Sequence, residues 1–242
     1  MAQTPRYRRH TTVRTEGHPE TRGLKAMVEA RDGGETGVES IRFLKGGDLW
    51  AAADRGEWDE ELAEAAMATE EGKELPSLRE LIKTPEMKLQ EPYGVLVKYL
   101  DGLTGMTLRL GKVANRFLYS HRLQDGTVQA TRFYGGPWNN RNLFKALAHA
   151  IQHHFVHAKS PYPVERTLLT TGMTAAMVES FAAEGKPIQT PHLRIAYKTA
   201  DWSAVRENGE TWKILTEDLP QPMGITRGGH RAQKAREALQ GK

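Results

Sequence analysis

Val95-Leu-Val-Lys-Tyr-Leu-Asp-Gly-Leu-Thr-Gly-Met-Thr-Leu-Arg-Leu110 decides the fold. Two apolar runs flank Asp101-Gly102, a dipeptide that tolerates the left-handed backbone of a tight hairpin turn. Beyond the turn, alternation places Met106, Leu108 and Leu110 on one face and Thr107 and Arg109 on the other. The next segment repeats the design. Phe117, Tyr119, His121 and Leu123 alternate, Asp125-Gly126 makes a second turn, and residues 127–134 return. Links this short exclude parallel crossovers, so the expectation is an antiparallel meander. A sheet with one apolar face must be covered, which predicts an α+β fold with helices over one face of a mostly antiparallel sheet.

Working outward, residues 20–31 have helical spacing at Leu24, Met27 and Val28, and Gly33-Gly34 ends them. Residues 38–44 follow as a strand with Ile41 and Phe43 on one side. Asp48 and Asp59 are placed to cap two helices, over 48–53 and 60–69. Ser77-Leu-Arg-Glu80 has capping-box spacing. Residues 48–91 hold thirteen acids against five bases, the pattern of a solvated helical face. After Gly135-Gly136-Pro137 a helix runs from about 142 to 158. Its Leu143, Phe144, Leu147, Ala148, Ile151 and Phe155 share an arc expected to face the core. Pro161-Tyr162-Pro163 forces an extended bend. The helix after it is apolar almost all round, so it is expected to be buried. Leu193, Ile195 and Tyr197 alternate as a last strand. Trp202 and Trp212 are expected to pack as satellites, and 227–240 to form a basic helix.

The 242 residues suit one ordinary domain or two small ones. Apolar residues make up 38%, and no run approaches the length of a membrane span. With no cysteine, disulfides and thiolate chemistry are excluded. No apolar leader opens the sequence, so a cytoplasmic location is expected. The net charge of +4 is unevenly held: residues 1–25 carry +4, residues 225–242 carry +4, and the body carries −4. The ends therefore read as a flexible basic arm (1–19) and a poorly patterned basic tail (201–242) around a domain at 20–200. A nucleic-acid-binding core would present its own basic face, so nucleic acid is not expected as a partner of the body.

Several side chains invite chemistry and also have a plain structural reading. His149, His153 and His157 are spaced i, i+4, i+8, which suits a shared divalent metal. They lie opposite the apolar arc without a metalloprotease-type glutamate, so a solvated polar face is preferred and no metal is assigned. Glu165 favours the dipole of its helix, and Arg166 suits a carboxylate, either from this chain or from a substrate. Thr167, Thr170, Thr171 and Thr174 fit bonds back to the preceding turn. Trp138-Asn-Asn-Arg141 suits sugar stacking or a helix lead-in.

Five segments taken together carry a resemblance. They are Gly33-Gly-Glu-Thr-Gly-Val38 with its strand, Leu49-Trp50, Tyr99-Leu-Asp-Gly-Leu103, Pro161-Tyr-Pro-Val-Glu-Arg-Thr-Leu-Leu-Thr-Thr-Gly172, and Gln189-Thr-Pro-His-Leu193. In this order they resemble the C-terminal domain of the glucose–fructose oxidoreductase, inositol dehydrogenase and rhizopine-catabolism (Gfo/Idh/MocA) family, over about residues 23–200. The resemblance implies an α/β domain with a large antiparallel sheet that shapes a sugar or polyol site and often a subunit contact. On that basis Tyr119, His121, Arg132, Tyr134, Trp138 and Arg166 are the candidate substrate-binding residues.

The family's cofactor machinery has no counterpart in these residues. The sequence shows no Gly-x-Gly-x-x-Gly after a strand, the turn that brings a backbone up to a pyrophosphate. The Glu-Lys-Pro motif is replaced by Glu184-Gly-Lys-Pro187, which reads as a helix end and turn. His18 stands near an expected histidine with unlike neighbours. No catalytic, cofactor or metal residue is therefore assigned. The expectation is a stand-alone or truncated substrate and oligomerisation domain, taking NAD(P) only through a separately encoded Rossmann-domain chain and self-associating through its sheet. The alternatives are a non-catalytic carbohydrate- or protein-binding module and an anion binder acting through the basic ends.

Overall fold

A computed structural model describes residues 7–14, 24, 27–69, 77–81, 83, 91–110, 117–133, 135–199, 215–216 and 218–219, with the backbone alone for 7–14, 81 and 137–140. It divides into two compact units, Met1–Phe133 with Tyr162–Ala200, and Tyr134–Pro161 with Asp201–Lys242. His18, Tyr134, Trp202, Trp212, the side chain of Trp138 and the expected helix at 227–240 lie outside the described residues.

The first unit is α+β. Its strands are β1 (Tyr7–Arg14), β2 (Val38–Lys45), β3 (Tyr93–Tyr99), β4 (Thr104–Arg109), β5 (Leu118–Leu123), β6 (Val128–Arg132) and β7 (Ile188–Gln189), in the order β6-β5-β1-β4-β3-β2-β7. Its helices are α1 (Gly46–Asp54), α2 (Glu60–Met67) and α3 (Leu78–Leu81); α4 (Pro137–His157) belongs to the second unit, and α5 (Val164–Ala182) returns to the first. Among the described residues no helix is long and apolar enough to cross a membrane.

Both expected hairpins form, with the same local chemistry. Gly102 and Gly126 take φ of 83° and 94°. Asp101 Oδ1 accepts from the Leu103 amide at 3.2 Å, and Asp125 Oδ1 accepts from the Thr127 amide at 2.8 Å. Each aspartate thus closes its own turn while glycine supplies the left-handed backbone.

The meander is interrupted. β1 lies between β4 and β5, parallel to the first and antiparallel to the second. Residues 7–14 are therefore a strand and not part of a loose arm. Their run Tyr-Arg-Arg-His-Thr-Thr-Val-Arg is rich in β-branched and aromatic residues, a signal that its charge obscures.

Helices lie against both faces of the sheet instead of one. On one face Leu44, Leu96, Met106, Leu108 and Leu118 pack with Leu49, Trp58, Ala63, Met67 and Leu78 of the α1–α3 layer. On the other, Ile41, Val95, Val97, Tyr99 and Tyr119 pack with Leu24, Val28 and α5 through Leu169, Met173 and Ala176. The alternation of Val95 and Val97 against Leu96 feeds both cores, which is why β3 reads as continuously apolar. The expected caps are partly seen. Asp59 Oδ1 accepts from the Leu62 amide at 3.4 Å, and Ser77 and Glu80 bond through their side chains at 3.1 Å. Asp48 sits inside the first turn of α1 and does not cap it.

Three further expectations are corrected. α5 is not buried all round: Leu169, Thr170, Met173, Ala176 and Ser180 are buried, while Val164, Leu168, Val178 and Phe181 are exposed. The last strand is β7, placed earlier than expected. Pro191 then starts a single 3-10 turn, and Tyr197 makes one isolated bridge to Glu35. In the second unit α4 turns its apolar arc outward, with Leu143, Phe144, Leu147, Ile151 and Phe155 between 47% and 78% exposed. Helical spacing identifies an apolar face but does not say what covers it.

Candidate functional site

The most developed polar region of the first unit surrounds the Glu29–Arg31 turn. Glu29, Arg31 and Glu35 are all buried. Arg166, on the first turns of α5, donates from Nε to both Glu29 oxygens at 2.8 and 3.0 Å. Tyr197 donates its hydroxyl to Glu29 Oε2 at 2.5 Å, and Thr199 donates to the Glu29 carbonyl. The Arg166 guanidinium also lies 5.2 Å from the centre of the Tyr162 ring. Next to this group, Arg31 donates to Asp101 Oδ2, the Val28 carbonyl and Thr36 Oγ1, each at 2.8 Å, and lies 5.0 Å over the Tyr99 ring. Glu35 Oε1 receives the Gly37 amide at 2.7 Å. Burial, first, pushes the Tyr99 and Tyr197 hydroxyls well above their ordinary range, with the Glu29 hydrogen bond adding to the effect at Tyr197. Both stay protonated donors at neutral pH. Each charge in this cluster is matched, as buried charge requires.

Arg166 is therefore held by a carboxylate of its own chain, one of the two alternatives its sequence position leaves open. Tyr119 and His121 come together on the sheet face shared with α5. Both are buried, their ring centroids are 5.2 Å apart, and Phe133 lies 6.5 Å from Tyr119. Desolvation lowers the His121 imidazole from its ordinary 6.5, partly opposed by a hydrogen bond with Gln129, so it is neutral at pH 7. Arg132 pairs across strands with Leu118, which belongs to the opposite core, so it does not join them. The four candidates whose side chains are described, Tyr119, His121, Arg132 and Arg166, thus divide between the Tyr119–His121 pair, the opposite sheet face and the Glu29 ion pair.

The threonines behave as helix chemistry predicts. Thr170 donates to the Arg166 carbonyl at 2.9 Å, and Thr174 to the Thr170 carbonyl at 2.9 Å. In the acidic stretch Arg79 bridges Glu60 and Asp54 at 2.9 and 2.6 Å, so part of that run is neutralised locally. On α4 the His153 and His157 rings are 4.5 Å apart. Among the described residues no three metal-capable side chains gather.

Sequence reasoning misses a cleft of about 410 Å³ lined by Phe43, Lys45, Glu91, Tyr93, Met177, Val178 and Phe181. Phe43 stacks on Tyr93 at 5.3 Å and meets Phe181 edge-on at 5.1 Å. The volume is that of a small-molecule site, and aromatic faces with one cation and one carboxylate suit a ligand with both ring and polar edges. Strand alternation puts Phe43 on one face, but its neighbours come from distant parts of the chain, a separation that no local pattern spans.

No family model, no curated protein and no solved structure matches this chain.

Proposed function

We propose that this chain is the substrate- and partner-contacting sheet domain of an NAD(P)-dependent oxidoreductase acting on a sugar or polyol, with the dinucleotide carried by a separate Rossmann-domain chain. The reading rests on the Gfo/Idh/MocA resemblance, and an α+β fold with a mostly antiparallel sheet is compatible with it. The observation that carries it furthest is α5. This helix grows out of the Pro161–Gly172 stretch, the most distinctive part of the resemblance. It buries Leu169, Met173 and Ala176 on the sheet yet leaves Val164, Leu168, Val178 and Phe181 outward at 55–76% exposure. Apolar surface of that kind on one helix suits an interface with another domain. In this reading the chain supplies no catalytic group of its own.

The test is calorimetric titration of NADH and NADPH into the chain, alone and with a Rossmann-domain protein encoded beside it. Binding or turnover is expected only in the mixture.

A second reading has its own observation, the aromatic cleft. A carbohydrate-binding module would use the Phe43, Tyr93 and Phe181 rings for stacking and Lys45 and Glu91 for hydroxyl contacts. It predicts a saccharide-dependent rise in melting temperature without any partner, lost in Phe43→Ala.

A further inference from the structure

The cleft beside α5 is built on pinned backbone. β7 pairs with β2 only at Ser40 and Ile41. Past that point α5 takes over the edge of β2. The Phe43 amide donates to Ser180 Oγ at 2.8 Å, and the Ser180 hydroxyl donates to the Lys186 carbonyl at 2.7 Å. Arg42 Nε donates to the Gly185 carbonyl at 2.9 Å. Ser180 is fully buried. These bonds fix the end of α5 against β2, so the space between them is formed in the chain by itself, as small-molecule sites usually are.

Strand alternation and register set what lines that space. Phe43 and Lys45 are two apart on β2 and share a face, and Lys45 pairs directly with Tyr93 of β3. These three form the floor, and Met177, Val178 and Phe181 of α5 form the wall. The Gly46 amide donates to the Pro92 carbonyl at 2.9 Å, which carries the pairing one step further and sets Glu91 at the end of the floor, its carboxylate against Gly46. Lys45 and Glu91 line the same cleft, yet neither side chain makes an ion pair, with the other or with any described residue. Two opposite charges that border one aromatic floor without meeting can each receive the complementary charge of a single ligand.

We propose that this cleft binds a free aromatic α-amino acid. The ligand ring lies against Phe43 and Phe181. It extends an array in which Phe43 stacks on Tyr93 at 5.3 Å and meets Phe181 edge-on at 5.1 Å. The ligand carboxylate meets the Lys45 ammonium, and its α-ammonium meets the Glu91 carboxylate. A ring with both charges uses every group the cleft offers. A saccharide has neither charge, and the mostly apolar lining gives its hydroxyls few partners. The proposal does not depend on a cofactor-bearing partner, and it competes with the saccharide reading of the same cleft.

The test is isothermal titration of the full chain with L-tryptophan, with tryptamine, which lacks the carboxylate, and with indole-3-propionate, which lacks the ammonium. L-tryptophan is expected to bind with Kd of about 100 μM, and each analogue about 10-fold more weakly. Lys45→Met should erase the preference over tryptamine and keep that over indole-3-propionate. Glu91→Gln should do the opposite. Both side chains are exposed, so neither change threatens the fold. Phe181→Ala, at a residue 57% exposed, should weaken all three ligands alike. No heat from L-tryptophan up to about 5 mM, analogues that bind as well as L-tryptophan, or preferences unchanged in both charge variants would overturn the proposal. Binding of glucose or myo-inositol without L-tryptophan would overturn it too, and would give the cleft to a saccharide.

Discussion

At the scale of single residues, the Glu29–Arg166 pair shows how a functional-looking arginine can be structural. The Glu29 side chain is 3% exposed and that of Arg166 is 21%. Among the described residues, removing the cation leaves the buried carboxylate with the Tyr197 hydroxyl as its one side-chain donor. Arg166→Ala is expected to cost about 3 kcal/mol in urea unfolding. The double variant Arg166→Met, Glu29→Gln should recover much of that, since no buried charge is then unmatched. A loss below about 0.5 kcal/mol for the single variant would mean the pair is solvated. His121 gives a pH signature. Its folded-state imidazole is held below its ordinary value, so the unfolded chain binds more protons as pH falls through about 6.5. Its contribution is level above that pH and declines below it, by up to about 1.4 kcal/mol per pH unit. Relative to the parent, His121→Gln should flatten the melting-temperature profile between about pH 5 and 6.5. Parallel profiles would place the imidazole in water.

At the scale of elements, Gly37 is a close join between the β2 entry and the C-terminal end of the first unit. It has φ of 100°, and a Cβ there would stand 2.9 Å from both the Ile195 amide nitrogen and the Leu193 carbonyl oxygen. Backbone atoms cannot swing aside as a side chain can. Gly37→Ala is therefore expected to lower unfolding free energy by about 2 kcal/mol, read by denaturant melts. An unchanged midpoint would show that the 193–195 segment is loosely held. The elements also show what a sequence reveals. Asp101-Gly102 and Asp125-Gly126 announce two hairpins because turn chemistry is local. The α1–α3 layer is legible from Asp59 and Ser77 for the same reason. The place of β1 is not, because strand order depends on pairing with β4 and β5 about a hundred residues away, and a charged terminus masks the β-forming Thr11-Thr12-Val13. The Glu29–Arg31–Glu35 cluster is hidden too. Its charges look solvent-facing until Arg166, Asp101 and Tyr197 arrive from distant segments. Of the candidate site, the closeness of Tyr119 and His121 follows from strand alternation. The opposite placement of Arg132 follows from the pairing register, which alternation alone does not supply.

At the scale of the whole molecule, α5 exposes Val164, Leu168, Val178 and Phe181. The proposed occupant of this surface is a cofactor-bearing chain. Leu168→Glu should abolish any partner-dependent turnover while leaving the melting temperature of the isolated chain within about 2 °C of the parent. Full turnover in that variant would place the partner contact elsewhere.

Isothermal titration of NADH and NADPH into the purified chain is the sharpest check on a division of labour between substrate domain and cofactor carrier. No heat of binding is expected up to millimolar nucleotide unless a Rossmann-domain protein is added. Micromolar affinity for either nucleotide by the chain alone would contradict that division.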